Sequence, residues 1–533
     1  MNRLLPLLLL FLPVAQPLAP GAETPALPGR LFVDAPVEGG TVNIPPTRTR
    51  GLLAGRAEAG DGFAGCVVRA GGAEVPVASD GAFQIDLVLA PRPGAATVQR
   101  GANALTVELV REGRVLAALT RSFTVTVIPE SALAGMGGGG GRAKVPAVRV
   151  GDAAGSVLKR LGRRHFLLGV MSGPGDRWIE ETRAQGCAWD ARYQYLAGGV
   201  NTGHKWYAGA FVPDYLKESE RLGVVPVFTW YMMYQSRPGI HAGRGEAGGN
   251  KMNCENADTM RAYLSDLRAF FAAAGAWGKP VILHHEPDLW GYFRIAPEFQ
   301  PNTPDAIRVV VRSTGLADVA AHPDTAAGFG RAIASMRDAL APNCLLAWHA
   351  SKWGNPAPKA FADFVKACGA WDLIFTDPSD RDSAWKIANN YHAEGAWWTD
   401  KDFESFRDWS GDLHKLTGLP LIAWQIPVGN TVMASCNNTL GHYMDNRVQY
   451  WLDGFPANRR LAEWAAAGYI GLLFGGGAAG CTGFTDAQKD GVTNPDPVAG
   501  NKGEKALFPD DDGGFLRLRA GEYYRKGPLP LGR

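Results

Sequence analysis

The chain has 533 residues, too many for one compact core, so two or more domains are expected. Hydrophobic residues make up 46% and charged residues 20%, the balance of an ordinary soluble globular protein. The 54 basic and 52 acidic side chains leave a formal net charge of +2, which gives no electrostatic case for nucleic acid or an anionic membrane as partner.

At the N-terminus, Arg3 precedes the apolar run LLPLLLLFLPVA, and small residues follow around Ala19 to Ala22. Residues 1–22 therefore read as an export signal, which places the mature protein in a secreted or periplasmic location. No later segment has the ~20 apolar residues of a membrane span, so no membrane contact is expected once the signal is removed. From residue 28 to 130 short runs such as FAGCVVRAG, GAFQIDLVL and RSFTVTVIP alternate apolar and polar residues at period two, between Gly, Asp and Pro. A small antiparallel β-sandwich follows from that pattern. Within it, Gly101-Ala102-Asn103-Ala104-Leu105-Thr106-Val107 resembles the penultimate strand of bacterial immunoglobulin-like modules attached to secreted carbohydrate enzymes. Residues 131–160, with five consecutive glycines, read as a linker.

From residue 161 to 533 the rhythm changes to short apolar strands separated by segments apolar at helical spacing. The strands are HFLLGVM (165–171), ARYQYLA (191–197), VVPVFTW (224–230), PVILHHE (280–286), CLLAWHA (344–350), WDLIFTD (371–377), PLIAWQI (420–426) and YIGLLFG (469–475). Eight strands alternating with helices predict an α/β fold of the (β/α)8 TIM-barrel type. A doubly wound open sheet would want a GxGxxG turn after its first strand, and GVMSGPGD lacks it. Seven cysteines in an exported chain invite pairing. Cys344 with Cys368, and Cys436 with Cys481, are plausible disulfides, while Cys66 reads as a buried thiol.

In such barrels the active site forms at the C-terminal ends of the strands. Those ends carry polar and aromatic groups together: Asn201, His204 and Trp206; Trp230, Tyr231 and Tyr234; His284, His285, Glu286, Asp288 and Trp290; Trp348, His349, Lys352 and Trp353; Asp377, Asp380, Arg381, Asp382 and Trp385; Trp424, Gln425 and Asn430. A carboxyl group at such an exit is partly desolvated, which raises its pKa and lets it keep a proton near neutral pH. Several of the 16 tryptophans follow strand ends, as platforms for a flat apolar face such as a pyranose would.

His285-Glu286 followed by Trp290 and Phe293 resembles the acid/base motif on the fourth strand of clan A glycoside hydrolases, nearest to the mannanase-type families. The resemblance implies Glu286 as general acid/base and His285 as a substrate contact. It also implies a nucleophilic Glu at the end of the seventh strand, where this chain has Gln425. An amide cannot form the glycosyl ester of the retaining mechanism, so the second carboxylate is sought on the sixth strand, with Asp377 first and Asp380 next. The expectation is a hydrolase of poly- or oligosaccharides, acting as a monomer without a cofactor. Glu286, Asp377 and Asp380 are its catalytic candidates. His285, Asn201, His204, Trp230, Trp290, His349, Trp424 and Gln425 are its substrate contacts. The alternative is a sugar-binding pseudoenzyme, motivated by Gln425. A catalytic metal is not expected, because alternation sends His284 and His285 to opposite sides of their strand and the first strand offers no histidine.

Overall fold

The computed structural model describes residues 29–127 apart from 37, 39–40, 45–49, 61 and 80; residues 145–476 apart from 204–209 and 434–440; residues 480–487; and residues 506–532 apart from 507. The expected signal peptide, the pentaglycine run, His204 and Cys436 lie outside the described residues, and with Cys436 so does its proposed bridge to Cys481.

The N-terminal part is a β-sandwich. One sheet has four strands, in the order Arg30–Ala35, Arg50–Glu58, Ala82–Val88 and Ala95–Thr97. The other has five, in the order Thr41–Ile44, Arg114–Val127, Gly101–Arg111, Cys66–Ala70 and Ala73–Pro76. Alternation does what the sequence pattern requires: along Cys66–Ala70 every second side chain is buried. Leu53, Val68, Phe83, Ile85, Val107 and Phe123 of the two sheets meet in one core of their own.

The second part is a closed eight-stranded parallel barrel. Its strands are β1 (Leu167–Met171), β2 (Ala191–Ala197), β3 (Val225–Tyr231), β4 (Val281–His285), β5 (Cys344–Ala350), β6 (Leu373–Thr376), β7 (Leu421–Ile426) and β8 (Tyr469–Phe474). Each pairs with the next, and β1 closes on β8 with Leu167 opposite Gly471. Strands β4 to β8 are buried at every residue, because one face looks into the barrel and the other is covered by helices. Helices such as Ala257–Trp277 and Ala326–Leu340 supply the outer layer; both are opened by a side-chain cap, Asn256 on Thr259 N and Thr325 on Gly328 N. No helix among the described residues is long and apolar enough to cross a membrane.

Two expectations are corrected here. The segment assigned to a linker through residue 160 contains the helix Asp152–Arg160, whose Ala154, Val157 and Leu158 are buried in the barrel core. Just before it, Val148–Arg149 pairs in parallel with Leu531–Gly532 near the chain's end, so the barrel domain begins ahead of residue 150. Cys344 and Cys368 are not bonded to each other; both are buried thiols, like Cys66, Cys187 and Cys254. Cys344 belongs to β5 and its sulfur faces the Leu345 carbonyl, whereas Cys368 ends the helix Pro358–Ala367 and its sulfur faces the Ala326 carbonyl. Burial pushes the Cys344 thiol up to about 12, which keeps it inert.

Candidate active site

At the C-terminal ends of the strands the barrel opens into a cavity of about 1000 Å³. Its floor is made by Tyr195 of β2, Tyr231 of β3, and Trp424 and Gln425 of β7. Trp424 and Gln425 are sequence neighbours, so regular alternation would turn one of them away. The ladder between β7 and β8 shifts register between Ala423 and Ile426, and Gln425 adopts a left-handed φ of 55°. That kink aims both side chains into the cavity.

The equivalent position on β4 behaves in the opposite way. Glu286 follows the last residue of β4 with a φ of 46°. Its carboxylate does not reach the cavity wall; it is 1% exposed and sits behind it. Its Oε1 accepts hydrogen bonds from Met232 N at 3.0 Å, Met233 N at 2.9 Å and Tyr263 Oη at 2.8 Å, tying the end of β4 to the turn after β3 and to the helix Ala257–Trp277. Burial drives its pKa up to about 8, against the lowering effect of those three donors. The expectation that Glu286 faces substrate is therefore corrected. The left-handed backbone swings its side chain toward the helical layer, where it acts as a structural tie.

Two residues further on, Asp288 enters the cavity. Burial raises its pKa well above the usual carboxylate range, and the negative fields of Glu246, Asp377 and Glu286 add to this, with Arg381 opposing. Glu246, on the helix Gly245–Cys254, also lines the cavity; burial raises its pKa, and Tyr231 Oη donates to its Oε1 at 2.7 Å. Across the cavity, beyond β6, stand Asp377 and Asp380. Asp380 is paired with Arg381 and lies 3.7 Å from Lys386 Nζ, so much of its charge is already answered. Asp377 is more open to chemistry: its Oδ1 is buried without a hydrogen-bond partner, 3.4 Å from His349 Nε2. The walls are aromatic, with Tyr292, Trp353, Tyr391 and Trp398 joining Tyr195, Tyr231 and Trp424. Gly291 makes room for one of them, since a Cβ there would lie 2.4 Å from the Trp353 indole. Among the described residues no three His, Cys, Asp or Glu side chains converge as a metal site.

The other predicted site residues divide. Asp377, Asp380, Trp424 and Gln425 meet at the cavity. His285 does not: it points outward, receives Trp290 Nε1 at 3.3 Å on Nδ1 and faces Tyr263 Oη at 2.8 Å with Nε2. Burial holds its pKa down to about 3, so it is neutral. The one proton arrangement that satisfies all three groups runs from His285 Nε2–H to Tyr263 and from the Tyr263 hydroxyl to Glu286. Trp230 and Trp290 are fully buried outside the barrel wall, the first against Tyr263 and Phe270, the second against Trp348 and Phe293. Both are core residues rather than sugar platforms. Asn201 clasps the backbone of Arg237, giving Nδ2 to its carbonyl at 2.9 Å and accepting its N–H at 2.8 Å. His349 is buried beneath the cavity floor, with no exposed surface to offer a ligand. Asp382, next to the sixth-strand carboxylates, is also withdrawn; it accepts Thr482 N at 2.7 Å and ties the loop after β8 to this side of the barrel.

Among the cavity residues that sequence reasoning did not select are Asp288, Glu246, Tyr195 and Tyr292. Asp288 stood in the strand-end pattern beside Glu286, and only the backbone kink decides between them. Glu246 and Tyr292 arrive from helices in the β3 and β4 connections and left no strand-end signal.

No protein-family model and no curated protein matches the chain. Solved structures do. A modular endo-β-1,4-mannanase from Cellulomonas fimi aligns over 63% of this chain and 72% of its own, at 12% identity and a TM-score of 0.38. A Bacteroides ovatus family 5 xyloglucanase aligns over 92% and 100%, at 10% identity and a TM-score of 0.35. A 2,3-dimethylmalate lyase, of different chemistry, aligns over 60% and 80%, at 11% identity and a TM-score of 0.28. Function has to be argued from this chain's own side chains.

Proposed function

We propose that this protein hydrolyses glycosidic bonds in a poly- or oligosaccharide, with Asp288 as the acid and Asp377 as its partner carboxylate. The observation that carries the reading is Asp288 itself: a carboxyl whose pKa burial and acidic neighbours raise, in an aromatic-walled cavity that also contains Asp377. A sugar ring stacks against Trp424, Trp353 or Tyr391 while Gln425 and Tyr231 bond its hydroxyls. Asp288 gives its proton to the glycosidic oxygen as the C–O bond breaks. Asp377 either takes a proton from the attacking water or attacks the anomeric carbon itself; carboxyl groups roughly 6.5–9.5 Å apart suit the first course and about 5 Å the second. The anomer released first, read by NMR, distinguishes them. The N-terminal sandwich, which we take to be immunoglobulin-like, serves as a spacer, and residues 1–22 direct export of a protein that works as a monomer.

A second reading is carbohydrate binding without cleavage. It is motivated by Gln425 at the end of β7 and by the withdrawal of Glu286 from the cavity. One experiment separates the two. Wild type and Asp288→Asn are incubated with a panel of neutral and acidic polysaccharides, and new reducing ends and retention on each polysaccharide are both measured. Hydrolysis by wild type that Asp288→Asn lacks supports the enzyme. Binding by both with new reducing ends from neither supports the binding protein.

A further inference from the structure

Below the cavity floor, three side chains from consecutive strands form a hydrogen-bonded row across the barrel interior that ends on Ser351 and faces Asp377. Thr229 Oγ1 of β3 lies 3.2 Å from His284 Nδ1 of β4. His284 Nε2 lies 2.9 Å from His349 Nδ1 of β5. His349 Nε2 lies 2.7 Å from Ser351 Oγ and 3.4 Å from Asp377 Oδ1, beyond the end of β6. Both histidines are fully buried, and the Trp424 indole covers them, with its ring 4.6 Å from His284 and 5.8 Å from His349. Desolvation, with His349 and His285 adding to it, keeps His284 neutral, so it carries a single N–H. The charged and titratable groups facing the row are His285 behind it and Asp377 at its end, with Asp288, Tyr195, Arg381, Lys386 and Tyr469 around Asp377.

We propose that Thr229, His284 and His349 form an interior relay of hydrogen bonds that turns the His349 Nε2–H toward Asp377, making His349 the positioning residue that aims this carboxylate at substrate. The proposal rests on Asp377 being the reacting carboxylate. Its logic is proton placement. Two self-consistent patterns exist for the row. In the first, the Thr229 hydroxyl donates to His284 Nδ1, His284 Nε2–H donates to His349 Nδ1, and His349 Nε2–H points toward Ser351 and Asp377. In the second every donor is reversed: the Ser351 hydroxyl donates to His349 Nε2, and Asp377 Oδ1, 3.4 Å away, is left with no donor facing it. The buried Asp377 Oδ1 selects the first, because only the first turns an N–H toward an acceptor that has no other partner. Asp377 Oδ1 has no hydrogen-bond partner, and a small turn of the imidazole or the carboxyl would align the His349 N–H with it. No proton crosses the row, since Thr229 is its end; the row fixes a tautomer and an orientation.

The test is NMR on the full chain with ¹⁵N-labelled histidine rings and ¹³C-labelled aspartate carboxyls, Asp377 being assigned by its loss in Asp377→Asn. The Nε2–H tautomer is expected for both His284 and His349 at neutral pH. In His349→Phe, which keeps a ring and deletes the donor, the Asp377 carboxyl should titrate higher by up to about one pH unit. Thr229→Val, which keeps shape and deletes the donor, should let the tautomers mix and move the same titration by less. Where the wild type turns over a polysaccharide, the acidic limb of kcat/KM should move with the carboxyl. A His349 protonated on Nδ1, or an Asp377 titration unmoved in His349→Phe, overturns the proposal. These readouts need no turnover, so absence of hydrolysis would defeat the hydrolase reading while the spectra still decide the relay.

Discussion

The ends of β4 and β7 make the sharpest comparison in the molecule. Each carries a polar residue with a left-handed backbone, Glu286 at φ 46° and Gln425 at φ 55°, a conformation that side chains other than glycine and asparagine rarely adopt. At β7 the kink comes with a register shift and delivers its amide into the cavity. At β4 it removes a carboxylate from the cavity and sets it on two backbone N–H groups and a tyrosine. The same local strain thus serves opposite ends. At one strand it exposes a functional group, and at the other it uses one as structural glue and leaves the acid's place to Asp288. A strand end is a functional position in a barrel only once the direction of its last side chain is known.

The largest effect that would sharpen this contrast is on turnover. Asp288→Asn should lower kcat by about 10³-fold, the scale of losing a general acid, whereas Glu286→Gln, which keeps the carboxylate's shape, should stay within about threefold of wild type. Steady-state release of reducing ends checks both. If Glu286→Gln proved the dead variant and Asp288→Asn the active one, the assignment at β4 would have to be reversed.

The architecture was legible because the barrel needs little beyond periodicity. HFLLGVM, PLIAWQI and their fellows are apolar on both faces, since parallel barrel strands are covered on both, and all eight lie in the closed sheet. The parity of His284 and His285 was legible for the same reason, and the structure puts the first inside the barrel and the second outside. Parity failed one residue later, because a left-handed φ at Glu286 has no signature in a sequence that lacks glycine there. Trp230 and Trp290 misled because an aromatic at a strand end can face the helices as easily as the cavity. Glu246 and Tyr292 were out of reach because their positions depend on how the connections after β3 and β4 fold back. The expected Cys344–Cys368 bridge failed on geometry, each sulfur being directed to a different carbonyl.

Stability offers the next test. Glu286→Ala should destabilise the protein by about 3 kcal/mol, because it orphans the N–H groups of Met232 and Met233 and the Tyr263 hydroxyl in a buried place; denaturant unfolding of the barrel checks this. A smaller effect is the pH dependence of the same site. The folded-state pKa of Glu286, about 8, lies above its ordinary value of 4.5, so the folded protein holds a proton that the unfolded chain has released. Its contribution is fully present below the unfolded value and is lost as pH rises toward 8. Between pH 6 and 8 wild type should lose roughly 2 kcal/mol from this group, and Glu286→Gln should not. Since Asp510 and Asp511 are unaltered in both proteins, the difference between the two pH–stability curves reports Glu286 together with its field on Asp288. Parallel curves would mean that Glu286 stays ionised in the fold.

The smallest effect tests the comparison itself. Glycine relieves a left-handed backbone, and at a position whose side chain carries no stabilising contact the gain is about 1 kcal/mol, less the entropy glycine adds to the unfolded chain. Gln425→Gly should therefore leave stability within about 1 kcal/mol of wild type, because its amide looks into the cavity rather than into the core. Glu286→Gly receives the same backbone relief and still loses the three hydrogen bonds to Oε1, so it should fall clearly below wild type though less far than Glu286→Ala. Thermal unfolding of the two glycine variants side by side cancels the common backbone term. What remains between them is the worth of the Glu286 carboxyl as a tie, and if the two variants melted together, the carboxyl would hold nothing and its withdrawal from the cavity would lack a physical cause.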